Sequence, residues 1–409
     1  MPATSFPSAQ GFGQQRGIVL TLAMGTLLGM VNMASLGAFM PVISRDLDVS
    51  VPVLGQVTTA TLFGAAIISL FAGPLADLYG KRRLMVVGLA AVALSAGGTM
   101  LAPTFGWLLA TRMISAVSGG VLAGTTMAMA GSLFVGDERR RAMSWVASGI
   151  AAGAIAGIPF LTLVASFSSW RWSYAVVAAL GLVWVALVRR LLPDDAVDSG
   201  RLEASAVLAA YRPLFASRPM LALNLATVAR AIAWIGVLTY VGAYLDHEQG
   251  MSTAEIGWVY MVGGSGYFIG TKLAGGRLGG WDLRAVYGLG TIAMGALLAA
   301  ALALPIGPLT VIGLIGLASA TGGFGYVALV TLVSSDSPAG QGTTMSLNSA
   351  MLQAGSALGG LFGGLLVALG GYAALGLGLM GFAYVATVLV WRPAPGTLFA
   401  RVRPATLSD

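Results

Sequence analysis

The chain reads as an all-α membrane protein of twelve spans in two six-span halves. Three observations predict this: its composition, the spacing of its apolar runs and the placement of its positive charge. Of 409 residues, 57% are hydrophobic and only 9% are charged, against about a quarter charged in soluble domains. Its mean hydropathy of +0.86 is that of a polytopic membrane protein. With no cysteine, disulfides, Cys-ligated metals and thiol catalysis are excluded. The single histidine, His247, excludes a multi-histidine metal site.

A helix needs about 20 apolar residues to cross the hydrocarbon. Such runs fall at 17–42, 52–76, 84–102, 106–134, 143–166 and 172–188, and after an interruption at 219–245, 256–276, 286–303, 309–333, 342–368 and 373–391. The interruption carries Asp194, Asp195, Asp198, Arg201, Glu203, Arg212 and Arg218 and reads as a loop. The predicted organisation is therefore an N-terminal six-helix bundle at 1–188, a central cytoplasmic loop at 189–218, a C-terminal six-helix bundle at 219–392 and a cytoplasmic tail at 393–409. The first 16 residues carry one Arg and lead into a span too long for a signal peptide's apolar region.

Threading these spans with both termini inside puts 17 of the 22 Lys/Arg in the cytoplasm, two outside (Arg45, Arg171) and three in the membrane (Arg112, Arg230, Lys272). That bias follows the positive-inside rule, so the net charge of +7 encodes topology and calls for no nucleic-acid partner.

Between spans 2 and 3 lies Gly73-Pro-Leu-Ala-Asp77-Leu-Tyr-Gly80-Lys81-Arg82-Arg83. Its end glycines suit a sharp turn, its basic trio suits headgroups, and Asp77 can bind a helix N-terminus or an Arg. The stretch resembles the signature Gly-x-Leu-Ala-Asp-x-x-Gly-Arg/Lys-Arg/Lys of the major facilitator superfamily. Arg112-x5-Ser118-Gly119-Gly120 resembles that family's arginine-bearing fourth-helix motif. Gly153-Ala-Ile-Ala-Gly157-Ile-Pro159, followed by Trp170-Arg171-Trp172, is similar to the fifth span of bacterial drug and sugar efflux members (the 12-span drug:proton antiporter branch). Here the proline falls two residues after Gly157, where that branch often has Gly-Pro within the ladder. The resemblance implies the major facilitator fold, with 12 transmembrane helices in two six-helix pseudo-repeats around a central cavity.

Internal duplication agrees with such halves. Gly276-Arg277-Leu278-Gly279-Gly280 echoes the loop motif at an offset of 280 − 77 = 203, with Gly280 in place of the acid. The ladder Gly149, Gly153, Gly157 in span 5 matches Gly355, Gly359, Gly363 in span 11 at 355 − 149 = 206. Parallel repeats of this kind build transporter halves, and small residues let helices pack closely. The two ladders are expected to serve as faces on which spans 5 and 11 slide.

A charge at mid-bilayer is costly unless it faces a cavity or a partner, so the three membrane cations are functional candidates. The resemblance implies that Arg112 takes part in proton coupling or in packing its half. Arg230, with Trp234 one turn on, could anchor an anionic or polar substrate, or bond another helix. Lys272 lies within snorkelling reach of headgroups. All 15 Asp/Glu fall in loops, termini or outermost turns. Proton coupling would then use Asp77, Arg-linked water or the substrate's own ionisation, and the acid-free interior favours neutral or anionic solutes. Asn32, Tyr240, Tyr326, Asn348 and Gln353, with Arg230 and Trp234, complete the substrate-binding candidates; Gln56, Thr59, Asn224, Tyr244 and Tyr267 are further polar positions.

The resulting expectation is a secondary transporter of the inner membrane, monomeric and without cofactor or bound metal. It would export a small organic compound by alternating access, with protons as possible partners and Gly73, Asp77, Gly80, Arg82 and Arg112 in coupling or gating. Its alternative is uptake or exchange of an organic anion or sugar. Copper transport on Met24, Met30, Met33 and Met40 and a non-transporting sensor are minor readings; the sensor would be expected to carry an appended soluble domain. No Walker motif, nucleophile elbow or His-Glu-x-x-His is present, so no enzyme is expected.

Overall fold

The computed structural model describes residues 12–193, 204–277, 281–335 and 338–391. Every regular element among them is helical: α1 (Phe12–Leu47), α2 (Val51–Tyr79), α3 (Lys81–Met100), α4 (Phe105–Leu133), α5 (Gly136–Ala152), a π-helical turn (Gly153–Gly157), α6 (Ile158–Phe167), α7 (Trp170–Leu191), α8 (Ala204–Ala216), α9 (Arg218–His247), α10 (Thr253–Arg277), α11 (Leu283–Ala303), α12 (Pro308–Ser335) and α13 (Gln341–Trp391). Ten segments are long and apolar enough to cross a membrane, counting α5 through α6 as one. The last of them contains two spans, because Gly370 and Gly371 leave helical geometry and Gly371 takes φ 68°. The glycine- and tyrosine-rich α10 has the length of a further span, so twelve spans are present.

The Gly73–Arg83 motif is tighter than two turning glycines would make it. Helix α2 runs through Gly73 and Pro74 to Tyr79, and the whole reversal falls on Gly80 at φ 86°, which ends α2 and starts α3. Only a residue without Cβ takes that conformation cheaply. Gly73 instead lies where α2 crosses α13, near Ser346.

The segment expected as a loop contains α8. Val207, Leu208, Tyr211, Leu214 and Phe215 recur at helical spacing and lay one face on α2 and α13. Pro74 has no N–H, so the Leu70 carbonyl four residues back loses its helical donor; the Tyr211 hydroxyl supplies one at 2.8 Å. The charged residues 194–203, the tail 393–409 and positions 278–280 of the second motif lie outside the described residues.

Helices α1–α7 and α9–α13 pack mainly among themselves, and the seam between these halves is made by α1 with α9, α2 with α13, and α10 with α6 and the π turn. The glycine ladders pack within the halves, not across the seam. A Cβ on Gly149 would lie 2.2 Å from the Ala23 carbonyl of α1, and one on Gly355 would lie 2.5 Å from the Val228 carbonyl of α9. Gly153 and Gly157 face Met30 and Val31, while Gly359 and Gly363 face Gly236 and Tyr240. The ladders therefore fix span 5 on span 1 and span 11 on span 7, and sliding between halves must use other surfaces.

Candidate functional site

Among the described residues each half buries one arginine between helices. Arg112, on α4, is 1% exposed and reaches α1: Nη1 donates to Asn32 Oδ1 at 3.2 Å, and Nη2 to the carbonyls of Asn32 at 2.5 Å and Met33 at 3.4 Å. Asn32 passes the network on, donating to Ser115, which in turn meets Ser95 at 2.5 Å. Tyr174 lies with its ring 5.9 Å from the guanidinium and its hydroxyl on Ser35. Only Arg112 Nε is left without a partner in this knot. Ser35, Ser95, Ser115 and Tyr174 carried no sequence signal, since small hydroxyl residues and one Tyr are unremarkable in a span.

Arg230, on α9, is 2% exposed and differently held. Nη2 donates to one backbone carbonyl, Gly322 of α12, at 2.7 Å, and Nε has no partner. Tyr326 covers the guanidinium at 5.0 Å. Trp234 and Tyr267 stack 6.1 Å apart at 24°, and Tyr267 continues to Tyr326 at 6.3 Å. These three rings are only partly buried. The contacts of this cluster run among α9, α10 and α12 of the C-terminal half.

The other substrate candidates are taken up by helix contacts. Asn32 belongs to the Arg112 knot, and Asn348 Oδ1 accepts from Thr227 at 3.0 Å. The buried Tyr240 hydroxyl donates to the Gly360 carbonyl at 2.7 Å and sits against Gly55. Gln353 is partly buried and reaches across the seam to the Gly119 carbonyl at 3.5 Å. Lys272 is exposed, with Nζ 5.4 Å from the Phe268 ring. Met30 and Met33 pack their thioethers against Gly153 and Gly119. Among the described residues no group of three or more His, Asp or Glu could hold a metal ion.

The two ends of the seam differ. At the end away from the Gly73–Arg83 motif, Arg45 of α1 pairs with Asp246 of α9 through two hydrogen bonds, at 2.6 and 3.3 Å. Below that pair the backbones nearly touch, a Cβ on Gly242 lying 2.3 Å from the Gly37 carbonyl. Pro41 is the reason that carbonyl is available, since it cannot donate to it. Gly257 of α10 closes on Thr162 of α6 at the same end. The other cation predicted outside, Arg171, is bound to Asp46 and to the Ala102 carbonyl. At the motif end, Asp77 is exposed and makes no hydrogen bond or ion pair with the described residues. Arg82 donates to the Arg189 carbonyl, holding α3 to the end of α7 within its own half. Sequence reasoning missed Asp246. The repeat could have found it, because 246 − 45 = 201 nearly equals the duplication offset.

Two bundles of membrane-length spans that meet along a seam bonded at one end are the architecture of a membrane carrier. The Major Facilitator Superfamily profile matches residues 22–339 and 223–407, and the chain belongs to that family. An uncharacterized MFS-type transporter of Bacillus subtilis, YceJ, is 25% identical over 335 residues, covering 81% of this chain and 84% of its own. The hexuronate transporter of the same organism is 23% identical over 63% of each chain. A chloramphenicol resistance protein of Streptomyces lividans is 26% identical over 63% of this chain and 64% of its own. In fold, a D-xylose-proton symporter superposes with TM-score 0.74 at 15% identity, covering 94% of this chain and 98% of its own. The human organic anion transporter MFSD10 gives 0.71 at 16%, covering 93% and 100%.

Proposed function

We propose that the chain is a secondary transporter that exports a small organic compound by alternating access, binding it at Arg230, Trp234 and Tyr326. The observation that carries this reading is the Arg230 cluster itself. Of the seven residues expected to bind substrate, these three come together with rings still partly accessible, while Asn32, Tyr240 and Asn348 are buried in helix contacts. The paired Arg45–Asp246 end, with Asp77 at the other end bonded to none of the described residues, supports a carrier open toward the motif side, taken as the cytoplasmic side on the charge bias. Asp77, Gly80 and Arg82 would form the latch that engages when that side closes. A relative named for chloramphenicol resistance supports the outward direction. Uptake or exchange of an organic anion is the second reading, favoured by the unpaired Nε of Arg230 and by the relative named for hexuronate.

Reconstituted protein tests the reading. A compound that raises the unfolding temperature of the purified protein should also cross proteoliposomes saturably, and energised inside-out membranes should accumulate it. Binding without flux would remove the transporter reading, and accumulation only in right-side-out vesicles would reverse the direction.

A further inference from the structure

We propose that the Arg230 site selects a planar organic monoanion, with a carboxylate on the guanidinium and a flat conjugated body on the Trp234–Tyr267 stack. This deepens the transporter reading above and rests on it for location alone. The charge comes first. Arg230 is almost fully buried, gives one backbone hydrogen bond to the Gly322 carbonyl, lies against the Tyr267 hydroxyl, and keeps an Nε–H that no protein atom accepts. None of the ion pairs among the described residues involves it, and every Asp and Glu of the sequence lies in a loop, a terminus or an outermost turn. A buried cation without a counter-charge is costly, and a carboxylate from solution removes that cost while matching the planar fork of the guanidinium.

The rings then narrow the class. Aromatic faces carry partial negative charge, so a small inorganic anion gains nothing from Trp234, Tyr267 and Tyr326. A lipophilic cation would suit those faces but meet the charge of Arg230 beside them. A solute with one anionic end and a flat apolar body satisfies both parts, the near-parallel Trp234 and Tyr267 rings offering a stacking surface. A single guanidinium suits one negative charge, not two.

Tryptophan fluorescence and thermal unfolding of the purified full-length protein read binding directly, with phenylacetate, phenylacetamide, acetate and tetraphenylphosphonium as probes. Phenylacetate should bind at least about tenfold more tightly than its amide and than acetate, because the amide loses a charge-assisted bond and acetate loses the stack. Arg230→Gln should remove the preference for acid over amide, and Trp234→Leu should remove the preference for phenylacetate over acetate. Equal binding of acid and amide by the wild type, absence of carboxylate binding, or stronger binding of the phosphonium would overturn the proposal. Should Arg230→Gln fail to fold, the wild-type series and Trp234→Leu decide alone. Flux of phenylacetate in proteoliposomes separates the two readings. Selective binding without flux ends the transporter reading and leaves the site, whereas flux of neutral compounds with no acid preference does the reverse.

Discussion

Arg112 and Arg230 are both buried arginines that cross from one helix to the backbone of another, yet one is enclosed in acceptors and the other is left short of them. In the N-terminal half the guanidinium sits on α4 and binds α1 through three acceptors. In the C-terminal half it sits on α9, the repeat counterpart of α1, and takes one carbonyl of α12, the counterpart of α4. The repeat offset makes the asymmetry plain. At the two offsets of the repeat, 203 and 206, Arg230 falls on Leu27 or Met24 of the first half and Arg112 on Ile315 or Ala318 of the second. Each half has one cation at a position where its twin has an apolar residue. One half uses it to seal a helix pair, and the other keeps hydrogen-bonding capacity beside accessible rings.

The largest effect expected is on Arg112→Ala. It strands Asn32, two backbone carbonyls and the Ser115–Ser95 pair in a sealed interior and leaves a cavity. A destabilisation of about 3 kcal/mol or more is expected, seen as a lower unfolding temperature and reduced yield. Ligand affinity of the protein that does fold should stay within about twofold. If Arg112→Ala instead lost binding while keeping its stability, the contrast between the arginines would collapse.

Arg230→Gln should behave in the opposite sense. Removing a buried charge without a counter-ion relieves desolvation, so the ligand-free variant should unfold at a higher temperature than the wild type by about 1 kcal/mol. The same variant should lose ligand stabilisation. Thermal unfolding with and without ligand reads both. A large loss of stability would show that Arg230 braces α9 to α12 as Arg112 braces α4 to α1.

Much of this was legible beforehand, for identifiable reasons. Span length is fixed by bilayer thickness, so the twelve apolar runs gave twelve membrane-length helices to within a few residues. Gly80 was readable as a turn because positive φ leaves few residue choices, whereas Gly73 was misread because Pro74 persists inside a helix once Tyr211 satisfies the carbonyl it orphans. That compensation joins residues 141 positions apart and has no local signature. Helix α8 was hidden by the charges around it, though its apolar spacing was there to see. For the site, Arg230, Trp234 and Tyr326 were readable as intramembrane polar and aromatic residues, but which of Asn32, Tyr240, Asn348 and Gln353 face a solute and which face a helix depends on rotations that periodicity does not resolve.

Asp246→Asn tests whether access to the C-terminal site depends on the bonded end of the seam. Arg45 is 57% exposed and Asp246 only partly buried, so loss of the pair should cost under about 1 kcal/mol of stability. Its consequence is a change in population. The sequence has no cysteine, so a single cysteine in place of the buried Thr239, whose carbonyl lies against Gly37, reports opening of the seam through its alkylation rate. That rate should rise about threefold with Asp246→Asn, and Arg45→Ala should reproduce it. No rise with either variant would show that the Gly37–Gly242 backbone contact alone holds that end.

The smallest effect on this conformation belongs to Asp77→Asn. Asp77 is exposed and unpaired with the described residues here, so the substitution should leave unfolding temperature and ligand affinity unchanged. A latch is needed only when the motif end closes. Turnover should therefore fall, by about tenfold, while the half-saturating concentration stays put. That split separates a conformational role from a binding one, because a residue that touched substrate equally throughout the cycle would change affinity first. Wild-type turnover in Asp77→Asn would leave the closing of that end to α2, α13 and the α8 contact on Leu70.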